Sequence, residues 1–142
     1  MTLLERSTTI DASVEKVFSY IVDPASEIEM NPGITEITNI SGKGVGQHWK
    51  WTYEMMGFIL KGEAEVIEFV PNTIYVTKTT GDIISTWSYT LKAKGNRTRL
   101  NLVIDYTVPI PVLGKIAEML LLQENERAAD TEIANIKKRL ES

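Results

Sequence analysis

The chain contains no cysteine and a single histidine, His48. The first absence removes disulfides, zinc ribbons, iron–sulfur sites and thiol nucleophiles, and the second leaves His48 without a partner for a histidine-rich metal site. No metal and no cofactor are expected. Positive charge is also scarce: 15 lysines and arginines against 19 aspartates and glutamates give a net charge of −4. That is too little cation to neutralise a phosphate backbone, so no nucleic acid partner is expected. Long apolar runs are missing too. The best candidate, residues 108–123, is interrupted by two prolines, Lys115 and Glu118, and does not read as a membrane span. The opening MTLLERSTTI is too polar for a signal peptide, which makes a cytoplasmic location the expectation. What is present is ordinary: 142 residues, 43% hydrophobic and 24% charged, fit one domain over residues 1–142.

Residues 3–10 are threonine-rich and run into Asp11-Ala12-Ser13, a strand followed by a helix cap at Asp11 or Ser13. Val14, Val17, Phe18 and Ile21 then recur at helical spacing, and Asp23-Pro24 must end that helix. A second short helix is predicted over residues 25–30. Beyond the turn cluster Asn31-Pro32-Gly33, glycine, proline and asparagine punctuate β-branched segments and predict six meandering strands. Alternation places Trp49, Trp51, Tyr53 and Met55 on one face of the third strand, Trp87, Tyr89 and Leu91 on one face of the sixth, and Leu100, Leu102, Ile104 and Tyr106 on one face of the seventh. In the fourth strand Leu60, Ala64 and Val66 compete with Ile59, Ile67 and Phe69. We read the first set as inward, with a bulge near Gly62.

Residues 112 to about 140 lack proline and carry the stripe Leu122, Ala129, Ile133, Ile136 and Leu140, a helix of about 40 Å. Between Leu122 and Ala129 the stripe falls on Asn125 or Glu126. Either a polar group turns inward there or, as for most polar residues, the two sit at the stripe's edge in water. A strand, two short helices, six strands and a long helix make an α+β architecture, a sheet with one face covered by the helix.

This order resembles the START-type, birch-pollen-allergen-like helix-grip superfamily in its polyketide cyclase/dehydrase branch. The pieces that match are Ile10-Asp11-Ala12-Ser13 with Val14, Glu15, Val17 and Phe18, then Asp23-Pro24, Val45-Gly46, the segment 66–71, Asn96-Arg97-Thr98-Arg99-Leu100, and the ending Ile136-Lys137-Lys138-Arg139-Leu140-Glu141. The resemblance implies a curved seven-stranded antiparallel sheet wrapped around the long C-terminal helix, with an apolar cavity between them. It carries over no shared catalytic residues. Members of the superfamily include lipid, sterol, quinone and plant-hormone binders and a few cyclases.

Catalytic signals in the residues are weak. Gly42-Lys43-Gly44-Val45-Gly46 lacks the spacing of a phosphate-binding loop, and His48 alternates with Trp49 onto the outer face. The stronger signal is the inward aromatic set, whose apolar bodies and polar tips suit a pocket wall. Trp49, Trp51, Tyr53, Met55, Trp87 and Tyr89 are therefore expected to shape a ligand cavity. Leu60, Ala64, Leu102 and Ile104 would complete its sheet wall, and Leu122, Asn125 and Ala129 its helical wall. Meander geometry gathers apolar loops at one end, where Met56, Phe58, Ile83, Ile84, Ile110 and Leu113 are expected to form the entrance. The reading is a binder of a hydrophobic small molecule such as a lipid, isoprenoid quinone or polyketide, with transient membrane contact at that end. The rival is a cyclase-type enzyme using Tyr53, Tyr89 or Glu126 as acid/base, although no paired carboxylate or histidine constellation is expected on the inner face. A third reading is an interaction module without ligand.

Overall fold

The computed structural model describes residues 2–55, 57–107 and 114–141, with side chains given for residues 3–55, 57–107 and 123–141. Seven strands, β1 (Thr2–Ile10), β2 (Ile34–Ser41), β3 (His48–Met55), β4 (Phe58–Val70), β5 (Ile74–Gly81), β6 (Ile84–Lys94) and β7 (Arg97–Thr107), form one antiparallel sheet. Its order is β1-β7-β6-β5-β4-β3-β2, so each strand from β2 to β7 lies beside its chain neighbour and β1 closes the far edge. Helices α1 (Val14–Ile21) and α2 (Glu27–Met30) follow β1, joined by a 3-10 turn at Pro24–Ser26, and α3 (Gly114–Glu141) ends the fold. This is the α+β arrangement that the sequence pattern implies, with the seven-stranded sheet and long C-terminal helix that the resemblance implies.

Local chemistry accounts for the boundaries. The Ser13 side chain accepts from Lys16 N at 3.3 Å and caps α1, which decides between Asp11 and Ser13. Asp23 accepts from Ala25 N at 3.1 Å and caps the 3-10 turn, whose first residue is the proline that stops α1. Period-two alternation holds in β3, where Trp49, Trp51, Tyr53 and Met55 are buried and Lys50 and Glu54 exposed. It holds in β7, which buries Thr98, Leu100, Leu102, Ile104 and Tyr106. In β4, Leu60, Ala64 and Val66 face inward as expected, and Ile59 and Ile67 are exposed. The bulge, however, lies between Val66 and Glu68 rather than near Gly62. The inserted residue shifts the alternation so that Phe69 turns back toward the core, which reconciles the two competing faces of this strand.

The space between sheet and helices has two halves. At the end holding the β4–β5 and β6–β7 turns it is filled: Phe18 meets Phe69 and Tyr75 edge-on at centroid distances of 5.3 and 6.5 Å, and Val66, Leu100, Ile136 and Leu140 are buried around them. Polar contacts lock α3 at this end. Lys137 Nζ donates to Thr9 O at 2.7 Å, Asp11 N to Glu141 Oε2 at 2.8 Å, Asn135 Nδ2 to Met30 O at 3.1 Å, and Arg139 pairs with Glu29 at 2.7 Å. The other half is hollow.

Candidate functional site

Two glycines leave room for two aromatic rings of β3, those of Trp51 and Tyr53, at the hollow half. Gly62 sits opposite Trp51 in the β3–β4 register, and a Cβ there would collide with the Trp51 ring and with Thr80 O. Gly33 relates in the same way to the ring of Tyr53. The rings spread across the sheet instead of stacking into it, and a cavity of about 80 Å³ remains under α3. That is several times the roughly 10 to 15 Å³ a water molecule needs. Its lining reaches Ile34 at the start of β2 and Ile83 in the β5–β6 turn, so it extends toward the end that carries the apolar turns.

Of the expected ligand residues, Trp51, Tyr53, Ala64, Trp87, Tyr89, Ile104 and Asn125 line this cavity. Trp49, Met55, Leu60, Leu102 and Ala129 are buried in the surrounding core without lining it. The side chain of Leu122 lies outside the described residues. At the expected entrance Ile83 lines the cavity, while Phe58 and Ile84 are 53% and 46% exposed at the same end. Met56, Ile110 and Leu113 lie outside the described residues. Asn125 turns inward and Glu126 is exposed, which resolves the ambiguous position on the α3 stripe and takes Glu126 out of any cavity chemistry. His48 is on the exposed outer face, its Nδ1 3.1 Å from Gly46 O.

The sequence reading missed the acidic floor. Glu27 of α2 and Glu132 of α3 both line the cavity, so a pair of carboxylates does stand on the inner side, contrary to expectation. Glu132 was legible in part: it lies three residues after Ala129 and four before Ile136, on the buried stripe itself. Glu27 had no such signal, because a four-residue helix is too short to show a period.

Glu132 is 3% exposed, and Tyr89 OH donates to its Oε1 at 2.9 Å while Oε2 has no partner. Burial pushes its carboxyl up to about 7, with the Tyr89 hydrogen bond working the other way. Glu27 is pushed up to about 8, mainly by desolvation and further by the charge of Glu132. The Trp49 indole N–H faces Glu27 and lowers it slightly without reaching hydrogen-bond geometry. Glu27 is half-buried by surface area yet desolvated, since it lines the cavity. Burial, with Glu124 and Glu132 adding, raises Tyr53 to about 12, and burial with Glu132 raises Tyr89 well above its ordinary value.

Two further sets of polar groups border the cavity. Trp87 Nε1 donates to Ser85 Oγ at 3.0 Å, Ser85 meets Thr79 Oγ1, and Thr79 donates to Ile83 O at 3.0 Å, a closed chain that ties the turn to the sheet. Trp51 Nε1, Tyr106 OH and Asn125 Nδ2 also line the cavity and are buried without partners. Unpartnered buried groups are uncommon in folded proteins, and with Glu132 Oε2 four of them belong to residues that line this one cavity. Among the described residues no cluster of histidine, aspartate or glutamate could hold a metal ion. No described helix is long and apolar enough to cross a membrane.

A sheet gripping a long helix over a polar-tipped aromatic cavity defines a helix-grip protein. The chain belongs to the family described as polyketide cyclase/dehydrase and lipid transport, whose profile matches residues 1–141. Solved structures share the fold at low identity. TTHA0849 from Thermus thermophilus is 16% identical with a TM-score of 0.85, over 98% of this chain and 97% of that one. The Zhui aromatase/cyclase from a Streptomyces species is 15% identical with a TM-score of 0.84, over 99% and 93%. A START superfamily protein from Mycobacterium smegmatis is 18% identical with a TM-score of 0.78, over 98% and 97%. No curated protein matches the chain in sequence.

Proposed function

We propose that the protein binds a hydrophobic small molecule in the cavity between sheet and α3, as a single domain acting in the cytoplasm. The observation that carries this reading is the cavity wall itself, where aromatic rings surround polar atoms that have no partner within the protein. Family membership supports it, because the family's description covers lipid transport as well as polyketide chemistry. Lipids, isoprenoid quinones and polyketides are the ligand classes that such a wall suits. Trp51 and Trp87 form its walls, and Phe58, Ile83 and Ile84 its approach, where a membrane could be touched during loading. The test is titration with a neutral naphthyl fluorophore, N-phenyl-1-naphthylamine. Saturable binding of one equivalent, weakened about tenfold or more by Trp51→Ala and Trp87→Ala, is expected. Unchanged binding in folded variants would move the ligand elsewhere.

A second reading is favoured by one observation, the buried Tyr89–Glu132 pair with its carboxyl raised to about 7. A carboxyl held near neutrality can donate and accept a proton at working pH, which suits the enolisation and dehydration steps of a polyketide cyclase. In that reading Glu132, not Glu126, is the acid/base group. Cyclisation of a poly-β-ketone by the wild type but not by Glu132→Gln would establish it.

A further inference from the structure

We propose, building on the ligand-binding reading, that the cavity selects an amphiphile whose polar head is an organic cation, a protonated amine seated between Glu132 and Glu27. Three observations carry this. First, among the described residues the charged groups that line the cavity have one sign. Glu27 comes from α2 and Glu132 from α3, Glu124 of α3 stands near Tyr53, and no lysine, arginine or histidine is among the described residues of the lining. Arg127 lies outside, 3.6 Å from Glu124. Tyr53 of β3, Tyr75 of β5 and Tyr89 of β6 are the other titratable groups packed around the pair. Burial holds each phenol neutral, and a phenol has no cationic form, so none of them supplies countercharge.

Second, Glu132 Oε2 is buried, unpartnered and part of the cavity wall. Its other oxygen is already taken by Tyr89, which fixes the carboxyl so that Oε2 is left for an incoming donor. A buried carboxylate without a partner carries a large desolvation cost, and an ammonium group offsets it where an alkyl or carboxylate group cannot. Third, the rings of Trp51, Tyr53, Trp87 and Tyr106 line the same cavity, and the face of an aromatic ring attracts a cation. Carboxylate and phosphate heads are disfavoured by the same carboxyls once these are ionised. The Trp51 and Asn125 donors, also unpartnered, are left for an oxygen further along the ligand or for water.

The pair also sets the pH dependence. Ionisation of Glu132 near 7 and of Glu27 near 8 leaves the floor mostly neutral in acid and doubly charged in mild base. Ammonium affinity therefore rises with pH through this interval, with proton release on binding, while the affinity of a neutral alcohol stays flat or falls.

The experiment is calorimetry with three probes of one chain length, octylamine, 1-octanol and octanoate, on the wild type and on Glu132→Gln and Glu27→Gln. Octylamine is expected to bind about tenfold or more tighter than 1-octanol at pH near 8, octanoate weakest, and each Gln variant to remove most of the amine preference while keeping alcohol binding. The wild-type series stands even if a variant folds poorly. An alcohol that binds as tightly as the amine, or an amine preference that survives in both folded variants, overturns the cation and leaves the hydrophobic cavity standing. Binding by none of the three overturns both readings.

Discussion

Glu132 and Glu27 are the residues whose behaviour departs most from their surroundings in sequence. Native Glu27 and Glu132 keep protons up to about 8 and about 7, against an ordinary value of 4.5 that they regain on unfolding. The native state therefore binds more protons than the unfolded one across that interval, and the stability contributed by the neutral carboxyls is present in mild acid and lost as pH rises. Urea midpoints should fall from pH near 5 to pH near 8, by on the order of 1 kcal/mol or more in unfolding free energy. Glu27→Gln and Glu132→Gln should flatten the profile. A wild-type midpoint that is constant or rises over this range would contradict the burial of the pair. His48 gives the opposite case: exposed on the outer face, its replacement by alanine should change stability by less than about 0.5 kcal/mol and leave probe binding unchanged.

These two glutamates also show where the sequence stops being readable. An inward aromatic on a strand announces itself by alternating with lysine and glutamate, as in Trp49-Lys50-Trp51-Thr52-Tyr53-Glu54. An inward glutamate on a helix rich in charge has only its spacing from Ala129 and Ile136 to announce it, and its charge argues for water instead. Burial of charge is the exception that composition argues against, and it is at such exceptions that a site is built.

At the scale of the element, β4 shows how one strand serves both halves of the fold. Its first half presents Leu60, Gly62 and Ala64 beneath the cavity, and the bulge after Val66 turns Phe69 into the packed cluster with Phe18 and Tyr75. Sequence alternation identified the inward set but placed the bulge at the glycine, since glycine is the usual marker of one. Here Gly62 answers a different need, the close approach of the Trp51 ring. Gly62→Ala should therefore displace Trp51, lower stability by about 1 to 3 kcal/mol and weaken the naphthyl probe. Chemical denaturation with the probe titration in parallel checks both. An unaltered variant would show that Trp51 is free to move and does not define the wall. The α3 stripe was legible from Ala129 to Leu140 because its apolar spacing is regular there.

At the scale of the molecule, the fold separates a locked end from a hollow one. Asn135, Lys137, Arg139 and Glu141 tie the last turns of α3 to β1 and the short helices, and the cavity lies toward the other end. This division predicts that ligand passes by the turns bearing Phe58 and Ile84, both exposed. Replacing the two with serine should alter the rate of ligand transfer from vesicles, read by stopped-flow with a fluorescent quinone analogue, more than the equilibrium affinity. Lys43→Ser with Asn96→Ser at the far end serves as control, and equal rates in the two double variants would reject the route.

The central claim, that the hollow half holds a hydrophobic ligand, is tested most directly by the indole N–H resonances of the three tryptophans during titration with N-phenyl-1-naphthylamine. Trp51 and Trp87 line the cavity, and Trp49 is 1% exposed in the core beside it. The Trp51 signal, from an N–H without a partner, should shift most and saturate at one equivalent, Trp87 should follow, and Trp49 should move least. Saturable probe binding that leaves Trp51 and Trp87 unmoved, or no saturable binding at all, would contradict the account.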